Sequence, residues 1–164
     1  MEKILISACL VGQAVRYDGR AKRCASELIE EWQRQGRLVP ICPEVVGGLS
    51  VPRPAAELVG GDGADVLDDQ ARLVTAGGRD VTEAFIAGAH HALELARHHQ
   101  VRLALLKARS PSCGSGQIYD GSFSGTLQPG QGVTAALLQR EGVAVFSEEE
   151  IAELARYLED LESC

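Results

Sequence analysis

Lys3-Ile4-Leu5-Ile6-Ser7-Ala8-Cys9-Leu10-Val11-Gly12 decides the fold: a short apolar run gives way at once to a cysteine and a glycine. A run of this length reads as a strand buried on both faces, with Cys9 just past its carboxyl end. Ala25, Leu28, Ile29 and Trp32 follow at helical spacing, and Gly36 is placed to end that helix. Leu38-Val39-Pro40-Ile41 reads as a second strand that stops at Cys42-Pro43. Strand, helix, strand, with a cysteine past each strand, sets the pattern for the rest of the chain.

Farther along, Asp80 and Glu83 have capping-box spacing. Val81, Ala84, Phe85, Gly88, Ala89, Ala92, Leu93 and Ala96 make one apolar stripe, small enough to lie close to a sheet. Residues 101–106 read as a third strand running into Lys107-Ala108-Arg109-Ser110-Pro111-Ser112-Cys113-Gly114. A Gly- and Ser-rich loop to Gly132 precedes a helix over 133–141 and a strand over 143–146. Ser147 and Glu150 then have capping-box spacing ahead of a last helix with Ile151, Leu154, Ala155, Leu158 and Leu161 on its face. Between residues 44 and 79 the chain is rich in Gly, Pro and Asp, and alternation over 64–66 and 71–74 predicts a small hairpin. The expectation is an α/β fold: one Rossmann-like domain over residues 1–164, a parallel sheet with helices on both faces and a Gly/Pro-rich insertion.

The 164 residues carry a formal net charge of −7. Neutralising a phosphate backbone needs a basic stripe, and none is present, so long nucleic acid is not an expected partner. Arg16, Arg20, Lys22 and Arg23 do cluster, as a solvated surface or as a local anion site for a base or mononucleotide. No apolar run approaches the roughly 20 residues that span a bilayer. The first six residues are too short for the apolar core of a secretory signal. A cytoplasmic protein with no membrane partner is expected. Thiols stay reduced there, so five cysteines, an odd number, point to metal binding or catalysis rather than a disulfide framework.

In open parallel sheets the ligand crevice lies beyond the carboxyl ends of the strands. Cys9, Cys42 and Cys113 follow three strands and would converge on that edge. Any one of them alone would read as a buried free thiol. Three together argue for a metal, and thiolates suit iron–sulfur clusters or zinc. Structural zinc sites often use cysteine pairs about two to four residues apart, and no such pair occurs. The four histidines (His90, His91, His98, His99) lie on or beside one helix. Three protein ligands would leave one iron of a four-iron cluster open as a Lewis acid. Glu44, two residues after Cys42, is placed to take a proton from water. Ser110 and Ser112 are candidates to hydrogen-bond a carbonyl or thiocarbonyl, or to cap local backbone. Lys107, Arg109 and Arg53 would balance thiolate charge. Cys24 and Cys164 are read as lying outside the site.

One known family shares these motifs. Ser7-Ala8-Cys9-Leu10-Val11-Gly12 with Arg16-Tyr17-Asp18-Gly19 resembles the thiouracil desulfidase family, long catalogued as a domain of unknown function. So does Cys42-Pro43-Glu44-Val45-Val46-Gly47-Gly48-Leu49 with Pro52-Arg53-Pro54 and Glu57. Residues 107–114, Gly116 and Ile118-Tyr119-Asp120-Gly121 complete the likeness, which runs almost end to end and matches the family's short form. It implies a [4Fe–4S] cluster held by Cys9, Cys42 and Cys113, whose open iron takes the substrate's sulfur. The implied reaction removes sulfur from a thiolated pyrimidine, as base, nucleoside or nucleotide, giving uracil or its nucleotide and sulfide without net redox. The family's assisting glutamate and serine carry over to Glu44 and Ser110, and Ser112 fits the same motif. Ser112, Ser7, Arg53, Gly47 and Gly48 are expected at the substrate site. Two other readings compete: a non-enzymatic redox or oxygen sensor holding the same cluster, and a zinc-binding nucleotide-binding protein.

Overall fold

In the computed structural model, residues 1–163 are described; Cys164 lies outside the described residues. The chain runs Ile4–Ser7 (β1), a single 3-10 turn at Ala8–Val11, Glu27–Arg34 (α1), Leu38–Ile41 (β2), Pro43–Val46 (α2) and Ala56–Val59 (β3). Gly63–Leu67 (α3), Arg72–Thr75 (β4), Thr82–His98 (α4), Leu103–Leu106 (β5) and Gln117–Tyr119 (β6) come next. Leu127–Pro129 (β7), Val133–Arg140 (α5), Ala144–Ser147 (β8) and Ile151–Glu162 (α6) complete it.

β2, β1, β5 and β8 lie side by side in that order, all parallel, with Leu5 opposite Val39 on one side and Ala104 on the other. Side chains alternate across the sheet, as the pleat requires. Leu5, Ala104 and Leu106 face a layer built from α4 and α5. Ile4, Ile6, Leu103 and Leu105 face Ile29 and Trp32 of α1 and Leu154 and Leu158 of α6. Helices therefore cover both faces, which is why β1 and β5 are buried along their whole length. The chain moves from β1 outward to β2, then crosses back to β5 on the other side. The strand order thus reverses beside β1, the place where open α/β sheets leave a crevice.

The insertion differs from its expected form. Residues 64–66 are helical, because Asp62 and Asp65 form a reciprocal capping box that starts α3. The hairpin pairs β3 with β4 instead, Leu58 opposite Leu73. The Gly- and Ser-rich loop before Gly132 holds a second small hairpin, β6 with β7. At α4 the expected box is absent: Val81 occupies the cap position, and Asp80 accepts the Thr82 N–H at 2.9 Å. Before α6 the exchange is partial, with Glu150 accepting the Ser147 N–H while the Ser147 hydroxyl accepts from Glu149.

α2 and α4 meet backbone to backbone through two glycines. A Cβ on Gly88 would lie 1.9 Å from the Pro43 carbonyl oxygen, and one on Gly47 would lie 2.1 Å from that of Ala84. This contact seats α2, and with it the residue after β2, against the core. Among the described residues, no helix is long and apolar enough to cross a membrane.

Candidate functional site

Three strand ends deliver three cysteines to one cleft of about 560 Å³. Cys9 sits in the 3-10 turn after β1, which Gly12 closes at φ 98°. Cys42 occupies the cap position of α2, ahead of Pro43 at its first turn. Cys113 lies in the loop between β5 and β6, and the start of α5 holds that loop from below. There the N–H groups of Val133, Thr134 and Ala135 donate to the carbonyls of Pro111 and Ser112. These are the donors that a helix start leaves without internal partners.

Cys9 and Cys113 are buried and Cys42 is half-buried. Burial pushes the Cys9 thiol up to about 11; Cys42 adds its own repulsion, while Arg16 and Lys107 pull the other way. Burial raises Cys113 to about 12, opposed by hydrogen bonds from Ser7 and Ser112 and reinforced by Cys9 and Cys42. The Cys42 thiol is raised as well, chiefly by burial. The three sulfurs sense one another's charge, so they share one electrostatic environment. Such thiols keep their protons near neutral pH until a bound cation displaces them.

The donor set is three soft sulfurs around one cavity. Among the described residues, no three His, Cys, Asp or Glu side chains converge tightly enough for a single metal ion. A four-iron cube spreads its ligands wider than one ion does, and the cleft of about 560 Å³ lined by all three thiols offers soft donors for such a group. No histidine lines the cleft, and neither does Cys24.

Glu44 is clamped at both oxygens. Its Oε1 accepts from Arg53 Nε at 3.1 Å, with Nη2 of the same guanidinium in ion-pair contact at 3.1 Å, and its Oε2 accepts the Ser112 hydroxyl at 2.9 Å. The Arg53 side chain is only 5% exposed and also donates to the carbonyls of Val15 and Ser50. It is therefore committed to protein partners, with its charge held against one carboxylate oxygen. Ser110 lies at the cleft wall with its hydroxyl 3.0 Å from that of Ser112, and it accepts the N–H groups of Ser112 and Cys113. Ser112 is 2% exposed, so Ser110 is the more accessible of the two. Ser7 lines the cleft and accepts the Lys107 N–H. Lys107 pairs with Glu148 at 2.9 Å.

Of the residues expected at the site, the structure brings Cys9, Cys42, Cys113, Glu44, Ser110, Ser112, Ser7 and Arg53 to this cleft. Gly47 and Gly48 do not line it: Gly47 is pressed against Ala84, and Gly48 turns the chain at φ 106°. Arg16 and Lys22 border the cleft; Arg20 and Arg23 do not. Sequence reasoning gave no role to Tyr17, Glu57, Tyr119 and Phe123, which also line it. One signal was available: three of only seven Phe, Tyr and Trp residues in the chain lie in or beside Gly- or Asp-rich turns, outside any helix pattern.

A family model described as 2-thiouracil desulfurase matches residues 4–150. An uncharacterized protein of Bacillus subtilis (strain 168), YbbK, is 47% identical over 151 residues, covering 92% of this chain and 99% of that protein. The solved structure of TudS, titled a [4Fe–4S]-dependent thiouracil desulfidase, is similar with a TM-score of 0.89 and 48% identity. That likeness covers 97% of this chain and 99% of the other.

Proposed function

The chain belongs to the 2-thiouracil desulfurase family, and from that premise we propose that it is a [4Fe–4S]-dependent desulfidase acting on thiolated pyrimidines. Cys9, Cys42 and Cys113 are the three residues that would hold the cluster. When bound, the cluster supplies an iron with no protein ligand, a Lewis acid with affinity for sulfur that polarises a C=S carbon. The net reaction exchanges water for sulfur: C=S and H₂O become C=O and H₂S, with no electrons gained or lost.

Glu44 is the group that takes a proton from the attacking water. Arg53 and Ser112 hold its carboxylate by one oxygen each, so little reorganisation is needed when the water adds. Ser110, at the accessible end of the hydroxyl pair, donates a hydrogen bond to the reacting heteroatom and helps pass the proton. Ser7 supports Cys113 through a hydrogen bond to its sulfur, while the single hydroxyl proton of Ser112 goes to Glu44. Lys107 and Arg16 place positive charge beside Cys9 and offset that of the thiolates. The whole chain serves as one such unit, working in the cytoplasm, without membrane or long nucleic acid as partner.

The observation that carries this reading is the doubly clamped Glu44 beside a cleft bordered by three cysteines. The test is anaerobic incubation of the iron-loaded protein with 2-thiouracil and 4-thiouracil, quantifying uracil and sulfide together. Equal amounts of the two products support the reaction. Uracil formation that persists in Cys9→Ser, after its iron is gone, would overturn it.

A further inference from the structure

Glu57 and the turn around Gly121 lie far apart in sequence, and a single carboxylate joins them. Glu57 sits on β3, opposite Val74, and borders the cleft. Its Oε1 accepts the N–H of Gly121 at 3.0 Å and that of Phe123 at 3.2 Å. Both donors belong to the tip that connects β6 to β7. The tip is otherwise closed on itself: Asp120 N–H donates to the Thr126 carbonyl, and the hydroxyls of Ser122, Ser124 and Thr126 form a row at 2.6 and 2.8 Å.

The tip also lies unusually close to β3. Gly121 has φ 91°, and a Cβ there would stand 2.6 Å from the Leu58 carbonyl oxygen. Phe123 is held at φ 57°, a conformation that costs a non-glycine residue about 1 kcal/mol or more. A two-stranded ribbon of this size has marginal stability by itself, so its placement depends on what it docks against. Phe123 nonetheless lines the cleft with its ring partly exposed.

We infer that Glu57 is a positioning residue: by latching the β6–β7 tip to β3, it holds the Phe123 ring as the wall against which the flat heterocycle packs. This rests on the desulfidase reading and adds to it a determinant of binding, separate from the chemistry at Glu44. An aromatic face recognises any planar ring of the right size, so the latch acts on affinity and leaves the proton steps untouched.

The test has two independent arms. In the first, amide hydrogen exchange is followed without substrate. Glu57→Ala should lose protection at Gly121 and Phe123 while the β1 and β5 amides keep theirs, and Glu57→Gln, which still offers one oxygen to both donors, should restore it. In the second, steady-state kinetics on the iron-loaded enzyme should show KM raised about tenfold in Glu57→Ala, the factor that about 1.4 kcal/mol represents. The kcat value and the visible cluster absorption should not change. Phe123→Ala should raise KM similarly, and the double variant should be no worse than the poorer single, because both remove one wall. Retained protection in Glu57→Ala, an unchanged KM in either single variant, or multiplicative effects would overturn the inference. Phe123→Ala keeps both latch hydrogen bonds, so it decides the matter if Glu57→Ala does not fold. A wild-type protein that released no sulfide would instead overturn the desulfidase reading, and the exchange arm would still report on the latch.

Discussion

Replacing Gly88 by alanine tests how the fold places the catalytic carboxylate, although the substitution adds one methyl group on a helix outside the cleft. The new Cβ would stand 1.9 Å from the Pro43 carbonyl oxygen and 2.7 Å from its carbon. Both are backbone atoms and cannot swing aside. Ordinary contact begins near 3.4 Å, so α2 and α4 must part by about 1.5 Å in an interior that has no slack. The seventeen-residue α4 is fixed by its buried stripe, whereas α2 has four residues; α2 is the element that moves. Glu44 rides on it, and its 2.9 Å and 3.1 Å bonds to Ser112 and Arg53 would break. A misplacement of about 1 Å costs about 10²-fold in rate. Overpacking costs about 1–3 kcal/mol, and each kcal/mol lowers Tm by about 2–4 °C at this chain length. Sulfide release, iron content and thermal unfolding should therefore be compared with Gly77→Ala, whose Cβ would meet nothing nearer than Thr75 Oγ1 at 3.9 Å. Gly88→Ala with an unshifted Tm and sulfide release within twofold of wild type would refute the reasoning.

Other consequences can be checked in parallel. Glu44→Gln preserves shape and should retain iron and visible absorption while turnover falls by about 10²- to 10⁴-fold; full activity would remove Glu44 as the base. Arg53→Ala leaves the mostly buried Glu44 carboxylate without its cation and should cost about 3 kcal/mol in chemical denaturation. Arg53→Lys should not restore activity, because it lacks the planar fork; a fully active Arg53→Lys would contradict that. In the metal-free protein, Cys9 and Cys113 keep protons that the unfolded chain releases near pH 9.0. Their folded pKa values lie above the unfolded ones, so this contribution is intact below about pH 9 and is lost as pH rises toward 11 to 12. The unfolding midpoint should fall across that window, and fall less in Cys9→Ala/Cys113→Ala; equal slopes would contradict the assignment.

What could be read from the sequence was what local chemistry and strand order control. Apolar runs of four to six residues, each ending at a cysteine or a cysteine-bearing loop, sufficed to send Cys9, Cys42 and Cys113 to one edge, because parallel strands share a carboxyl end. The stripe from Phe85 to Ala96 identified α4 for the same kind of reason, a period of 3.6. Three residues of alternation at 64–66 were too few to outweigh the Asp62–Asp65 capping box. Gly47 and Gly88 mark a close approach, but a sequence does not say what approaches: here it is one helix backbone against another. Ser110 and Ser112 are equivalent in the motif, and only the fold gives them different partners. The Glu57 latch joins positions 64 and 66 residues apart, a contact no local pattern encodes. Arg53 illustrates the same limit: its charge was evident, whereas its commitment to Glu44 depended on the path of the insertion.

The most direct test loads the protein anaerobically with iron and sulfide, then removes the cysteines one at a time. Wild type should bind four irons per chain, show broad thiolate-to-iron absorption and release sulfide from thiouracil. Cys9→Ser, Cys42→Ser and Cys113→Ser should each lose absorption and sulfide release together, while Cys24→Ser should keep both. Retention of a full cluster and full turnover by any of the first three would contradict the account.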